Sequence, residues 1–172
     1  MAAGLLVAAA AQAQPIKPAG KPKVTQVSTD HLRIRYAHEL VRKTDGALSF
    51  VVEIEPRPEM HVYAPGADDY RIISLEIDEQ DALRLRPLQY PASEIYHFLP
   101  LNEKIPVYQK PFALKLDAHA QTTREGLAVT GRIEYQACDD RLCFNPVAVP
   151  LSWTLAIEPV PPDRGRPSPA SR

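Results

Sequence analysis

The sequence predicts an all-β fold, an immunoglobulin-like antiparallel β-sandwich. Three observations predict it. Apolar and polar residues alternate with a period of two in several separate segments. Turn signals fall between those segments. Prolines punctuate the middle of the chain too closely for long helices, because each removes a backbone donor and obstructs the preceding turn.

The segments follow in order. Leu32, Ile34 and Tyr36 alternate with Arg33 and Arg35. Leu48, Phe50, Val52 and Ile54 alternate with Ser49, Val51, Glu53 and Glu55. Ile73, Leu75 and Ile77 alternate with Ser74, Glu76 and Asp78. Phe112, Leu114 and Leu116 alternate with Ala113, Lys115 and Asp117. Leu127, Val129, Ile133 and Tyr135 share one face, and Thr130, Arg132 and Glu134 the other. Val149, Leu151, Trp153, Leu155 and Ile157 complete the set. Each reads as a half-buried strand with its apolar side inward. Thr44-Asp45-Gly46 and Arg124-Glu125-Gly126 are turn signals between strands. No segment has a helical period, and there is no internal repeat.

The chain has 172 residues, enough for one domain with tails. Hydrophobic residues make up 45% and charged residues 24%, which supports a core of ordinary size. Its 20 basic and 21 acidic side chains give a net charge of −1. That balance offers no electrostatic footprint for nucleic acid and no polybasic membrane patch. Proline is high at 18 residues, with 7 glycines. Pro56, Pro58, Pro65, Pro87, Pro91, Pro100, Pro106 and Pro111 lie in the middle of the chain, and many of the rest at its ends.

The start reads as a signal peptide, residues 1–13. Ala2 to Ala11 is a short apolar run, and Ala11-Gln12-Ala13 is a small-residue cleavage pattern. No Lys or Arg precedes the run. It falls short of the roughly 18 apolar residues a membrane span needs, and no later stretch reaches that length. Residues 14–23 read as a flexible Pro- and Lys-rich leader, and 159–172 as a disordered low-complexity tail. The folded domain is then 24–158. An exported chain meets an oxidising environment, and the periplasm is the expected location.

Chemistry concentrates in Ile133-Glu-Tyr-Gln-Ala-Cys138-Asp-Asp-Arg-Leu-Cys143-Phe-Asn-Pro146. Four residues separate the two cysteines, which suits a hairpin with the cysteines opposed across its base. Opposed Cβ atoms lie about 4.5–5.5 Å apart. A disulfide needs about 3.5–4.5 Å, a modest local adjustment. Such a bridge closes a loop of about six residues and stabilises by about 2 kcal/mol, the low end of the usual range. It is not the bridge between sheets that braces an immunoglobulin domain. Strand parity points Cys138 the same way as Arg132 and Glu134, toward solvent. An accessible short-loop disulfide is the kind that exchanges. A structural hairpin disulfide in a non-catalytic binding or assembly module is the alternative. Zinc would need two further ligands, and no histidine lies near the pair in sequence. No metal site and no organic cofactor are expected.

The segment Tyr135-Gln136-Ala137-Cys138, four residues, then Cys143-Phe144-Asn145-Pro146 resembles the N-terminal periplasmic domain of the DsbD family of thiol:disulfide interchange proteins. Met60-His61-Val62-Tyr63-Ala64-Pro65 resembles the family's tyrosine-bearing strand beside the cysteines. Tyr90-Pro91 through Phe98, followed by Val107-Tyr108, is similar to the cap loop that folds over the disulfide. The resemblance implies an immunoglobulin-like sandwich that receives electrons from a membrane-embedded donor. It implies delivery of those electrons to thioredoxin-like periplasmic oxidoreductases, in the setting of disulfide reduction and cytochrome c biogenesis. Cys143 would attack the partner's disulfide and Cys138 would resolve the mixed disulfide. Tyr63 and Phe98 would shield the pair. His61, Asp139, Asp140 and Phe144 complete the candidate site. Family members continue into membrane and thioredoxin-like modules. This chain stops, so those modules are expected on separate polypeptides, or the chain is a free-standing relative with a changed role.

Asp139 and Asp140 should repel a thiolate at Cys138, with Arg141 a partial offset, so the reduced pair is expected to react slowly until a partner docks. His61 reads as a general base or as a plain sheet residue. His97 reads as a cap contact or a surface residue. Tyr135 and Trp153 read as core. There is no Gly-rich phosphate loop and no serine nucleophile motif.

Overall fold

Period-two segments become strands because alternation gives each a dry side and a wet side. The computed structural model describes residues 23–157, except 100, 101 and 125. The expected signal peptide, all but the last residue of the leader, and the tail lie outside the described residues. The strands are β1 (Val24–Ser28), β2 (Leu32–Ala37), β3 (Glu39–Arg42), β4 (Ala47–Pro56), β5 (His61–Tyr63), β6 (Ser74–Ile77) and β7 (Leu83–Leu85). They continue with β8 (Glu94–Phe98), β9 (Glu103–Tyr108), β10 (Phe112–Ala120), β11 (Leu127–Tyr135), β12 (Ala137–Cys138) and β13 (Val147–Ile157). There are no helices among the described residues.

Two sheets form the sandwich. One has the order β1-β2-β4-β10-β7 and the other β3-β13-β11-β6. The register puts the inward residues of β4 opposite those of β10, with Leu116 facing Phe50 and Leu114 facing Val52. Trp153 fixes how the sheets meet. Its ring lies 5.1 Å from Phe50 and 5.2 Å from Tyr36, both on the opposite sheet. Trp153 and Tyr135 are core, as their alternation predicts. On the outer face, Arg33 pairs with Glu55 at 2.6 Å and Arg35 with Glu53 at 2.5 Å. These exposed pairs contribute little to stability and mark the wet side.

The sheets are not wholly antiparallel. β3 runs parallel to β13, with Leu40 beside Leu155. Parallel neighbours need a long connection, and nearly the whole domain separates these two strands.

Turns sit where their residue types require. Gly46 has φ of 89° in the Thr44-Asp45-Gly46 turn, a conformation that other residues rarely adopt. A side chain there would meet His119, whose Nε2 donates to the Asp45 carbonyl at 2.8 Å.

A third, smaller sheet positions the site. Its order is β12-β5-β9-β8. β12 continues the path of β11 beyond Gln136, while β8 and β9 form a hairpin laid over one end of the sandwich. It carries a separate apolar cluster of Tyr63, Ala67, Ile105, Val107 and Cys138.

Candidate functional site

The cysteines are joined by a disulfide, with Cα atoms 4.1 Å apart. Local pairing explains the closeness. The Phe144 amide donates to the Ala137 carbonyl at 2.9 Å, and the Asp139 amide to the Leu142 carbonyl at 3.0 Å. Cys138 and Cys143 therefore occupy the non-hydrogen-bonded position between those bonds, where opposed residues approach most closely. Asp139 shapes the turn. Its Oδ1 accepts the amides of Arg141 at 2.7 Å and Leu142 at 2.8 Å. Those two bonds hold its carboxyl below the usual range, so the carboxylate is ionised and committed to the loop.

One expectation is corrected here. Cys138 does not face solvent; it is 1% exposed. Parity gives its direction correctly, since Ala137 packs in the main core and Cys138 on the opposite side. The opposite side is covered at this end by the third sheet. Cys143 is exposed. The two sulfurs are thus unequal, one open to attack and one enclosed.

Tyr63 bridges them. Its hydroxyl lies 3.0 Å from Cys138 Sγ and 3.3 Å from Cys143 Sγ, and a disulfide has no proton to give, so the hydroxyl donates. Burial, chiefly, pushes the Tyr63 phenol up to about 12, which keeps that proton in place. Its ring stacks on Tyr70 at 4.2 Å, and Tyr70 donates to Glu103 at 2.9 Å.

His61 stands beside Cys138 in register on the neighbouring strand. Alternate residues of β5 share a face, so His61 and Tyr63 flank the sulfur together while Val62 enters the main core. The His61 ring lies 4.7 Å from Tyr96. Burial lowers its affinity for a proton, against the opposing pull of Asp140 and Asp139.

β8 supplies the cover. Tyr96 and Phe98 share its inner face, and Tyr96 donates to Asp140 Oδ1 at 2.9 Å, tying the cover to the cysteine turn. Together these residues enclose a cavity of about 150 Å³ whose wall includes His61, Tyr63, Phe98, Cys138, Asp139 and Cys143.

Phe144 lies elsewhere. It packs against the main core, 4.4 Å from the ring of His31, because neighbouring strand residues point to opposite faces and Cys143 takes the cavity side. His97 is exposed on β8 with Nε2 3.0 Å from Asn102 Oδ1. Sequence reasoning did not single out Tyr70, Tyr96 or Ile105. Tyr96 carried a usable signal, its two-residue spacing from Phe98. Tyr70 carried none, being in an irregular segment. Among the described residues no group of three His, Cys, Asp or Glu side chains is placed to hold a metal ion. No helix among them is long and apolar enough to cross a membrane.

The family model for the N-terminal region of the thiol:disulfide interchange protein DsbD matches residues 13–150. No curated protein sequence matches the chain. Among solved structures, the N-terminal periplasmic domain of ScsB from Proteus mirabilis is similar at TM-score 0.58 and 12% identity, over 76% of this chain and 51% of that one. The chain thus spans about half the length of that structure. The N-terminal domain of DsbD from Neisseria meningitidis, in its reduced form, is similar at TM-score 0.41 and 15% identity, over 69% of this chain and 89% of that one.

Proposed function

The chain belongs to the family of DsbD N-terminal thiol:disulfide interchange domains, and from that premise we propose that Cys138 and Cys143 carry electron pairs between partner proteins. The observation that carries this reading is the inequality of the sulfurs within one disulfide: Cys143 exposed, Cys138 enclosed under Tyr63. A carrier needs one sulfur that a partner can reach. It also needs a second that waits out of reach until the mixed disulfide has formed.

In the reduced domain, the Cys143 thiolate attacks a partner disulfide. A bond forms between Cys143 and one partner sulfur, and the other partner sulfur leaves as a thiolate. Cys138 then attacks Cys143 Sγ, which closes the Cys138–Cys143 bond and expels the second partner thiolate. Two electrons have passed to the partner. The reverse sequence, with an electron donor's dithiol, reloads the domain. The chemistry needs no organic cofactor. By the family resemblance, the acceptors are thioredoxin-like oxidoreductases in the periplasm and the donor is a membrane-embedded protein. Asp139 and Asp140 hold negative charge beside the pair, so partners with a positive rim around their own cysteines fit this end of the molecule.

A trapping experiment tests the reading. Reduced Cys138→Ser protein, mixed with an oxidised thioredoxin-like domain, accumulates a mixed disulfide on Cys143. The Cys143→Ser variant does not. Equal trapping by both variants, or by neither, contradicts the assignment.

A further inference from the structure

His61 is the one polar side chain among the buried residues described, apart from the tyrosines and Cys138, and it is 2% exposed. Its Nδ1 has no hydrogen-bond partner among the described residues. A buried imidazole nitrogen left unpaired destabilises a fold, so its place calls for a reason. The register sets His61 directly opposite Cys138, on the face that holds the disulfide, and both line the same cavity. In the disulfide, Cys138 has no proton to offer. Once the bond is reduced, the Cys138 thiol provides a donor on the wall of the cavity that His61 also lines.

We propose that His61 is the proton acceptor for Cys138 when that thiol attacks the mixed disulfide on Cys143; the inference rests on the exchange reading above. The step balances. The Cys138 S–H bond breaks and its proton goes to His61. The Cys138–Cys143 bond forms, and the bond from Cys143 to the partner breaks. The electron pair leaves on the partner thiolate, and the proton then follows to that thiolate or to solvent.

The surroundings suit a base. The charged and titratable groups facing His61 are Tyr63 on its own strand, Tyr96 from β8, Cys138 on β12, and Asp139, Asp140 and Arg141 from the turn. Burial holds the imidazole neutral and ready to accept, and the two carboxylates stabilise the imidazolium that forms. An enclosed thiol, cut off from solvent hydroxide, needs such an internal acceptor more than the exposed Cys143 does.

The test separates the two attacks. Reduced full chain is mixed with the aromatic disulfide dithiobis(nitrobenzoate), and released thionitrobenzoate is followed in a stopped-flow spectrometer. Attack by Cys143 releases the first equivalent and attack by Cys138 the second. In the wild type, the second phase is level near neutral pH and falls in acid as the imidazole protonates. In His61→Gln the second phase is roughly a hundredfold slower near neutrality and climbs about tenfold per pH unit, while the first phase is within about twofold of wild type. His61→Phe, which keeps a ring against Tyr96, shows the same split. Second phases in both variants that keep the wild-type rate and pH profile overturn the role. Loss of both phases together in both variants also overturns it, marking His61 as structural. A wild type that releases one equivalent and stops defeats the exchange reading itself.

Discussion

The Tyr63 hydroxyl sits between the two sulfurs, 3.0 Å from Cys138 Sγ and 3.3 Å from Cys143 Sγ. When the bond opens, the same hydroxyl is placed to stabilise whichever sulfur carries negative charge. A hydrogen bond to a charged group contributes about 1.5–3 kcal/mol. Tyr63→Phe keeps the ring stacked on Tyr70 and removes only that donor. The expected result is a folded protein whose Cys143 reacts roughly tenfold more slowly with a small disulfide, about 1.4 kcal/mol in barrier. Stopped-flow kinetics check it.

The bond from Tyr96 to Asp140 joins the β8 cover to the cysteine turn. Both groups are partly open to water, so losing it costs the fold about 1 kcal/mol or less. Its effect on access is larger. Asp140→Asn weakens the tie and removes a charge that repels incoming thiolates. Reduction of the disulfide by dithiothreitol is expected to run several-fold faster, at nearly unchanged denaturant midpoint.

His61 also links folding to pH. Burial lowers its folded-state pKa from the usual value of about 6.5. The unfolded chain then binds a proton that the folded one refuses, so stability rises with pH through that window. The contribution is full above about pH 6.5 and is lost as pH falls through the lowered folded value. Urea midpoints at a series of pH values should show this slope in the wild type and a shallower one in His61→Phe.

The hairpin bridge spans few residues, and long ladders far from it, β4 with β10 and β11 with β13, hold the sandwich together. Reduction is expected to lower stability by about 2 kcal/mol and leave the fold intact. A circular dichroism spectrum of the reduced protein checks the second part, and urea melts of both forms check the first.

Much of the sandwich was legible because its long strands have one wet face. Ile34 and Tyr36, Leu114 and Leu116, and Leu151 and Trp153 all announce their side by alternation. The third sheet was less legible for physical reasons. His61, Val62 and Tyr63 are buried on both faces, so β5 shows no alternation. β9 contains Pro106, which usually speaks against a strand, yet its place beside the short β5 tolerates the missing donor. Cys138 shows the limit of parity most clearly. Parity gives the direction of a side chain, whereas exposure depends on what later packs there, and here that was β8 and β9. Tyr70 reaches the site from an irregular segment and left no pattern to read.

The equilibrium reduction potential of Cys138–Cys143 tests the central claim most directly. It is measured by equilibrating the protein against a graded series of glutathione or dithiothreitol buffers. A working carrier is expected at roughly −120 to −270 mV, within the range of exchanging disulfides. A value well below about −300 mV would mark the bridge as structural and contradict the account.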